Sequence, residues 1–319
     1  MIVGAPKCGT TSMAQYLNEH PHVHMIRGEP HYFATDLRYN SPPMTERQYL
    51  RLCRATGGKP VCGERSTWYL YSRVAAAHLH QLNPQARIIA IIRNPADMLY
   101  SLHAHYMQRT GCEDQSDLMS AMALETYRRR GHAVPAGARF PQMLYYSEIP
   151  RYSEQLQRYF HHFGREQVHV ILFDDVRSDP ETVYRRTLEF LDLDSDYRPE
   201  FRVYNRSAPV RDTWLRRLWK RGTWRYHVRS MIPQRLHDAR VERRRRRREM
   251  DAGRQPWPPM PCELRAHLTE QFRDEIARLE DLLQRDLSAW RSHQHSTSPH
   301  PLPKDGLHQE ADLSGFRRG

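Results

Sequence analysis

The stretch IVGAPKCGTTS, residues 2–12, constrains this chain more than any other. A β-branched pair runs into glycines, small residues and hydroxyls around one lysine, and helical spacing follows from Thr10 through Met13, Tyr16 and Leu17. A strand that feeds a helix through a glycine-rich turn is the first half of a strand–helix–strand crossover, which belongs in a parallel sheet. Such a turn also aims backbone N–H groups at one point beside the positive end of a helix, where anionic oxygens bind. The usual nucleotide loop, G-x-x-x-x-G-K-[ST], places its lysine directly after the second glycine. Here Gly4 and Gly9 keep that spacing, but Thr10 holds the lysine position and Lys7 stands inside the loop.

The remaining pattern extends the same architecture. Helical spacing is expected over 45–55, 72–82, 117–130 and 151–163, and strands over 23–26 and 61–64. RIIAIIR (87–93) and VHVILF (168–173) read as buried parallel strands, because continuous apolar runs need two covered faces. Asn94-Pro95 and Asp179-Pro180 each open a helix, with a capping side chain followed by proline at the first helical position. Residues 263–290 read as one long amphipathic helix with Leu268, Phe272, Ile276, Leu279 and Leu283 on its stripe. The expected fold class is α/β, a central parallel sheet flanked by helices, with a basic, mostly helical C-terminal extension. One domain spans 1–290, its core reaching about residue 200, and 291–319 reads as a disordered tail rich in His, Pro and Ser.

Composition narrows the partners. The net charge of +12 favours anionic ligands, yet the positive side is nearly all arginine: Lys7, Lys59, Lys220 and Lys304 are the only lysines in 319 residues. A lysine within the glycine loop is therefore out of character for the chain and suited to a compact point charge. Five cysteines without C-x-x-C spacing argue against a zinc site or a disulfide framework, and no apolar run approaches a membrane span. With no signal peptide legible, cytoplasmic residence is the expectation. The first strand opens at residue 2, which leaves room for an upstream anchor or strand extension outside this sequence.

Three further segments carry chemistry. In IIRNPADMLYS (91–101), Arg93 stands at a strand end, where ligands bind in open α/β sheets, and Ser101 lies on the next helix. They could grip a second phosphate; a strand-end salt bridge and an incidental serine is the other reading. RGEPHYF (27–33) sets Glu29 and His31 two residues apart in a turn, and GERSTWYL (63–70) puts Glu64 and Arg65 at another strand end.

In that order, the four segments resemble the sulfotransferases that use 3'-phosphoadenosine-5'-phosphosulfate (PAPS), above all the heparan-sulfate and other carbohydrate types and their bacterial relatives. The resemblance covers about residues 2–290. It implies a P-loop-like sulfotransferase fold in which Lys7, Cys8, Gly9, Thr10, Thr11 and Ser12 hold the 5'-phosphosulfate. Arg93 and Ser101 would hold the 3'-phosphate, Glu29 would be the general base with His31 assisting or substituting, and Arg65 would face the acceptor. The acceptor would be a hydroxyl or amine, first a sugar hydroxyl, with an anionic glycan among the options; no metal and no nucleic acid are expected. The resemblance also accounts for the lysine inside the loop: negative charge grows on the bridging oxygen of the phosphosulfate, and a lysine projecting from the loop can meet it. Neither the Arg-Lys-Gly segment of the cytosolic type nor the Cys-flanked loop of the heparan type is evident, which leaves residues 204–212 or the arginine run to close over the adenine. Two rival readings remain at this point: a P-loop kinase or NTPase, opposed by the lysine position, and a nucleic-acid-binding module built on ERRRRRRE, residues 242–249.

Overall fold

The computed structural model describes residues 1–37, 39, 42–202 and 257–292. The opening stretch forms strand β1 (Ile2–Gly4) and helix α1 (Thr10–Glu19). β2 (Val23–Met25) pairs with β3 (Val61–Gly63), and β4 (Ile88–Ile92) lies between β1 and β5 (Val168–Leu172), every pairing parallel. The two ribbons meet at Ile2, whose N–H donates to the Glu64 carbonyl at 2.8 Å while its own carbonyl accepts from Ser66 N at 3.1 Å. This isolated bridge between Ile2 and Arg65 gives the spatial order β2-β3-β1-β4-β5. All five residues of β4 are buried, as its unbroken apolar run requires of a strand covered on both faces.

The flanking helices follow their signals. α2 (Glu46–Arg54) starts with a reciprocal capping box between Thr45 and Gln48. α4 (Pro95–His105) starts with Asn94 Oδ1 accepting from Ala96 N at 2.9 Å. α7 (Tyr152–Phe163), α8 (Phe173–Ser178) and α9 (Pro180–Phe190) complete the α/β core, and Asp179 caps α9 through Thr182 N at 2.9 Å.

Three helices depart from their expected limits, each for a local reason. α3 (Ala75–Leu82) begins three residues late because Ser72 Oγ accepts from Val74 N and Ala75 N, holding the turn ahead of it. The span 117–130 divides at Leu124 into α5 (Leu118–Ala123) and α6 (Glu125–Arg129). There the fully buried Arg128 forks onto Glu113 at 2.6 and 2.8 Å and also reaches the Ala121 carbonyl. The long C-terminal helix is broken at Phe272 into α10 (Cys262–Gln271) and α11 (Arg273–Leu283). One half packs on α4, with Arg265 paired to Asp97; the other packs on α7, with Glu275 accepting from Ser153 N at 2.7 Å. Two partners pointing in different directions need a bend. The arginine run, residues 204–212 and the expected tail from 293 lie outside the described residues.

Candidate functional site

Parallel strands release their C-terminal loops at one edge, and the four chemical segments emerge there. Gly4 ends β1 hard against the 64–70 segment: a Cβ on it would stand 2.7 Å from Leu70 Cβ and 3.0 Å from the Thr67 carbonyl. Loop 5–9 then turns through two left-handed residues, Lys7 (φ +63) and Gly9 (φ +81). Gly9 precedes α1 with no side-chain cap, so the first N–H groups of the helix end on the loop side. The Ser12 N–H donates to the Gly9 carbonyl at 2.9 Å and closes the first turn of α1, so this backbone group does not join the N–H groups left to an anion. Cys8 offers backbone only. Its buried Sγ donates to the Pro6 carbonyl at 3.3 Å, and burial pushes the thiol up to about 12 despite the charges of Arg93 and Lys7 nearby. Thr10 is buried and Thr11 half-buried.

Arg93 leaves β4 toward this loop. One guanidinium nitrogen donates to the Lys7 carbonyl at 3.4 Å, and the group lies 4.9 Å over the Phe173 ring. Among the described residues it forms no ion pair, which removes the strand-end salt bridge as its explanation and leaves a cation beside a backbone anion cradle. Ser101 sits half-buried on α4. Tyr100, its neighbour, donates to the Pro258 carbonyl at 2.9 Å, so the C-terminal segment runs alongside.

On the other ribbon, Glu29 is the hub. Oε1 is paired with Arg65; Oε2 accepts from Thr67 Oγ1 at 2.8 Å and Thr67 N at 3.3 Å. His31 Nε2 stands 3.3 Å from the same Oε2, an ion-pair approach without hydrogen-bond alignment. Burial alone would raise the Glu29 carboxyl, but the His31 contact, the Arg65 charge and the Thr67 hydroxyl outweigh it and hold the group well below the usual carboxylate range. His31 itself is left-handed (φ +54), its N–H bonded to Ser66 Oγ at 3.0 Å and its ring stacked 4.9 Å from Tyr39.

Glu64, the other acid in these segments, has a different role. It is fully buried, accepts from Tyr49 Oη and Ser66 Oγ at 2.7 Å each, and its carboxyl is pushed up by burial. Through Ser66 it anchors the backbone turn that carries His31. Thr67, Ser66 and Phe173 are the contributors that sequence reasoning passed over. Thr67 was within reach of it, being two residues beyond Arg65 in the same quoted segment; Phe173, just past the end of β5 and far along the chain, gave no such signal.

The glycine-rich loop and Arg93 thus cluster on the β1-β4-β5 side, and Glu29, His31, Arg65 and Thr67 cluster on the β2-β3 side. Among the described residues no group of His, Cys, Asp and Glu is gathered as for a metal ion, and no helix is long and apolar enough to cross a membrane.

The family model described as the sulfotransferase domain covers residues 1–207. Human heparan sulfate glucosamine 3-O-sulfotransferase 6 is 25% identical over 193 residues, which are 60% of this chain and 52% of that protein. The bifunctional heparan sulfate N-deacetylase/N-sulfotransferase 1 of Caenorhabditis briggsae is 24% identical over 201 residues, 63% of this chain and 23% of that one. The chain therefore spans about half, or less, of the length of these relatives. Among solved structures, a sulfotransferase from Alicyclobacillus acidocaldarius superposes with a TM-score of 0.67 at 28% identity, covering 91% of this chain and 97% of its own.

Proposed function

Because the chain belongs to the sulfotransferase domain family, we propose that it moves a sulfuryl group from PAPS to a hydroxyl or amine, with a carbohydrate as the first choice of acceptor. The observation that carries this reading is the pairing, at one sheet edge, of a lysine-bearing loop tied to Arg93 with a carboxylate held ionised by Arg65. The cradle fits a doubly anionic donor: the loop leads into the uncapped N-terminus of α1, and Arg93, with no ion-pair partner among the described residues, brings its charge to the loop backbone. Bound there, PAPS would supply the sulfuryl group and a phosphate leaving group.

The residues then divide the work. Loop N–H groups and Lys7 hold the phosphosulfate and meet the charge that grows on its bridging oxygen. Arg93 and Ser101 hold the second phosphate, and Glu29 takes the acceptor proton, with His31 in reach of the same oxygen. A carboxylate held well below its usual range is a weak base, but it is ionised at every pH above the acidic range. An acceptor hydroxyl that displaces Thr67 or Arg65 from Glu29 removes part of what holds the group down, so basicity rises on binding. The carbohydrate preference is supported by the heparan sulfate relatives, and the absence of lysine at Thr10 stands against a P-loop kinase.

Two measurements test this. Calorimetry should show 3'-phosphoadenosine 5'-phosphate (PAP) binding in the presence of chelator, in preference to Mg-ATP. Glu29→Gln should keep PAP affinity while turnover with labelled donor falls on the order of 10²–10⁴-fold, the range for a lost general base. Preference for Mg-ATP, or full turnover in Glu29→Gln, would overturn the donor or the base respectively.

A further inference from the structure

A concave pocket of about 290 Å³ lies between the loop after His31 and the N-terminal turns of α7, away from Glu29 and the donor loop. It is walled by four arginines, Arg73, Arg129, Arg151 and Arg158, and their partners differ in a telling way. Arg129 is satisfied by Glu148 at 2.7 Å, and Arg158 by Glu154 at 2.9 Å. Glu148 is saturated further by Tyr71 Oη at 2.7 Å, and Asp36 is taken up by Ser72 Oγ and the Arg73 backbone N–H. The carboxylates of the pocket are therefore all engaged. Arg73 and Arg151 are exposed and have no ion-pair partner among the described residues. Arg158 Nε is buried without a hydrogen-bond partner, and the Arg73 charge sits close enough to repel that guanidinium.

Exposed arginines usually point outward into water, where their mutual repulsion is screened. These converge on a cavity with an orphaned donor at its wall, where four guanidinium groups face three carboxylates that are each already hydrogen-bonded. We propose that this pocket is an oxyanion site that takes a sulfate or carboxylate group between Arg73, Arg151 and Arg158. Planar guanidinium forks suit both groups by paired N–H···O bonds. An aromatic wall, in which Tyr39 stacks on His31 and Phe140 packs between Tyr39 and Trp68, stands between the pocket and Glu29. Trp68 in turn packs on Tyr71 of the pocket itself. A small alcohol held at Glu29 could not also reach the pocket, whereas an extended acidic chain could. The anion has two possible sources, an acidic unit of an extended acceptor or a free anion, and the acceptor source alone rests on the sulfuryl transfer proposed above.

Arginine-specific labelling tests the site without requiring turnover. Phenylglyoxal modification of the full chain, mapped by mass spectrometry, would be followed alone and with three probes: sodium sulfate, a uronate-containing hexasaccharide and the neutral maltohexaose. Arg73 and Arg151 should be protected about fivefold or more by the acidic hexasaccharide and not by maltohexaose, as expected of charge-assisted bonds. Protection by sulfate but not by the hexasaccharide supports the oxyanion site and assigns it to a free anion. Equal labelling under all conditions overturns the proposal. With an acidic acceptor, Arg73→Ala/Arg151→Ala should raise KM about tenfold with kcat unchanged, and a neutral acceptor should not distinguish it from the wild type. Absence of transfer to any acceptor in the wild type would count against the sulfuryl-transfer reading and leave the protection result standing.

Discussion

Gly9→Ala probes how tightly the loop between β1 and α1 is built. At φ +81 a residue with a Cβ loses about 1–2 kcal/mol to backbone sterics. The new Cβ would also stand 2.9 Å from Phe173 Cε2 and 3.0 Å from Cδ2, so the ring must give way, at about 1–3 kcal/mol for overpacking. The ring that yields carries Arg93 at 4.9 Å, and Arg93 in turn holds the Lys7 carbonyl. A fall in thermal midpoint of roughly 5–10 °C is expected from the strain, read by calorimetry. PAP affinity should drop about tenfold or more, because the loop and the guanidinium move together. Phe173→Leu in the same chain removes the colliding ring edge while the backbone strain stays. Gly9→Ala/Phe173→Leu should therefore be more stable than the two single losses added together, by about 1 kcal/mol, yet remain poor at binding PAP. A Gly9→Ala protein with an unchanged midpoint and unchanged PAP affinity would refute the reasoning.

Other outcomes follow from the same geometry. Lys7→Arg should bind PAP within roughly tenfold of wild type but turn over at least ~10²-fold more slowly, since a wide, delocalised cation cannot replace a point charge at one bridging oxygen; turnover above half the wild-type rate would return Lys7 to general electrostatics. Arg93→Ala and Ser101→Ala should weaken PAP binding more than they slow the saturated enzyme, and unchanged affinity in both would remove them from the donor site. Glu113→Gln, which breaks a pair buried on both sides, should cost about 3–5 kcal/mol at neutral pH in denaturant melts. Burial raises the Glu113 carboxyl, but the Arg128 fork, the Gln115 N–H and Tyr146 outweigh it and leave it below its ordinary value. Its contribution is therefore full above the unfolded value near 4.3 and is lost as pH falls through the folded one. The variant's stability should accordingly be flatter than wild type on the acid side, and parallel acid profiles would contradict that assignment.

The strands were legible because each announces itself locally: β4 and β5 are apolar runs between charges, and β1 leads into a glycine turn. The glycine-rich turn into α1 was legible for the same reason. The helix limits were not, where a distant partner decides them. Nothing near Leu124 signals that Arg128 will be buried on Glu113, and no proline or glycine marks Phe272. The wiring of Glu29 was half legible. Its neighbour His31 is two residues away, but Arg65 and Thr67 arrive from another strand, and only the β2-β3 pairing brings them to the carboxylate. That Ser12 N–H closes the helix and does not face the loop depends on one dihedral at Gly9, which glycine permits but does not dictate.

The two ribbons are joined by the backbone of Ile2 and Val3, which bonds to Glu64, Ser66 and Leu70, by the packing of α1 on β2, and by one shared core. Side chains proposed to handle the donor hang from β1 and β4, and those proposed to receive the acceptor hang from β2 and β3. Substitutions on the second set can reach the first through those bonds, the packing of Leu70 on Gly4 and the common core. On the proposed division, acceptor and donor are read by loops of different ribbons, so the loops after β2 and β3 are where substitutions should change acceptor choice first.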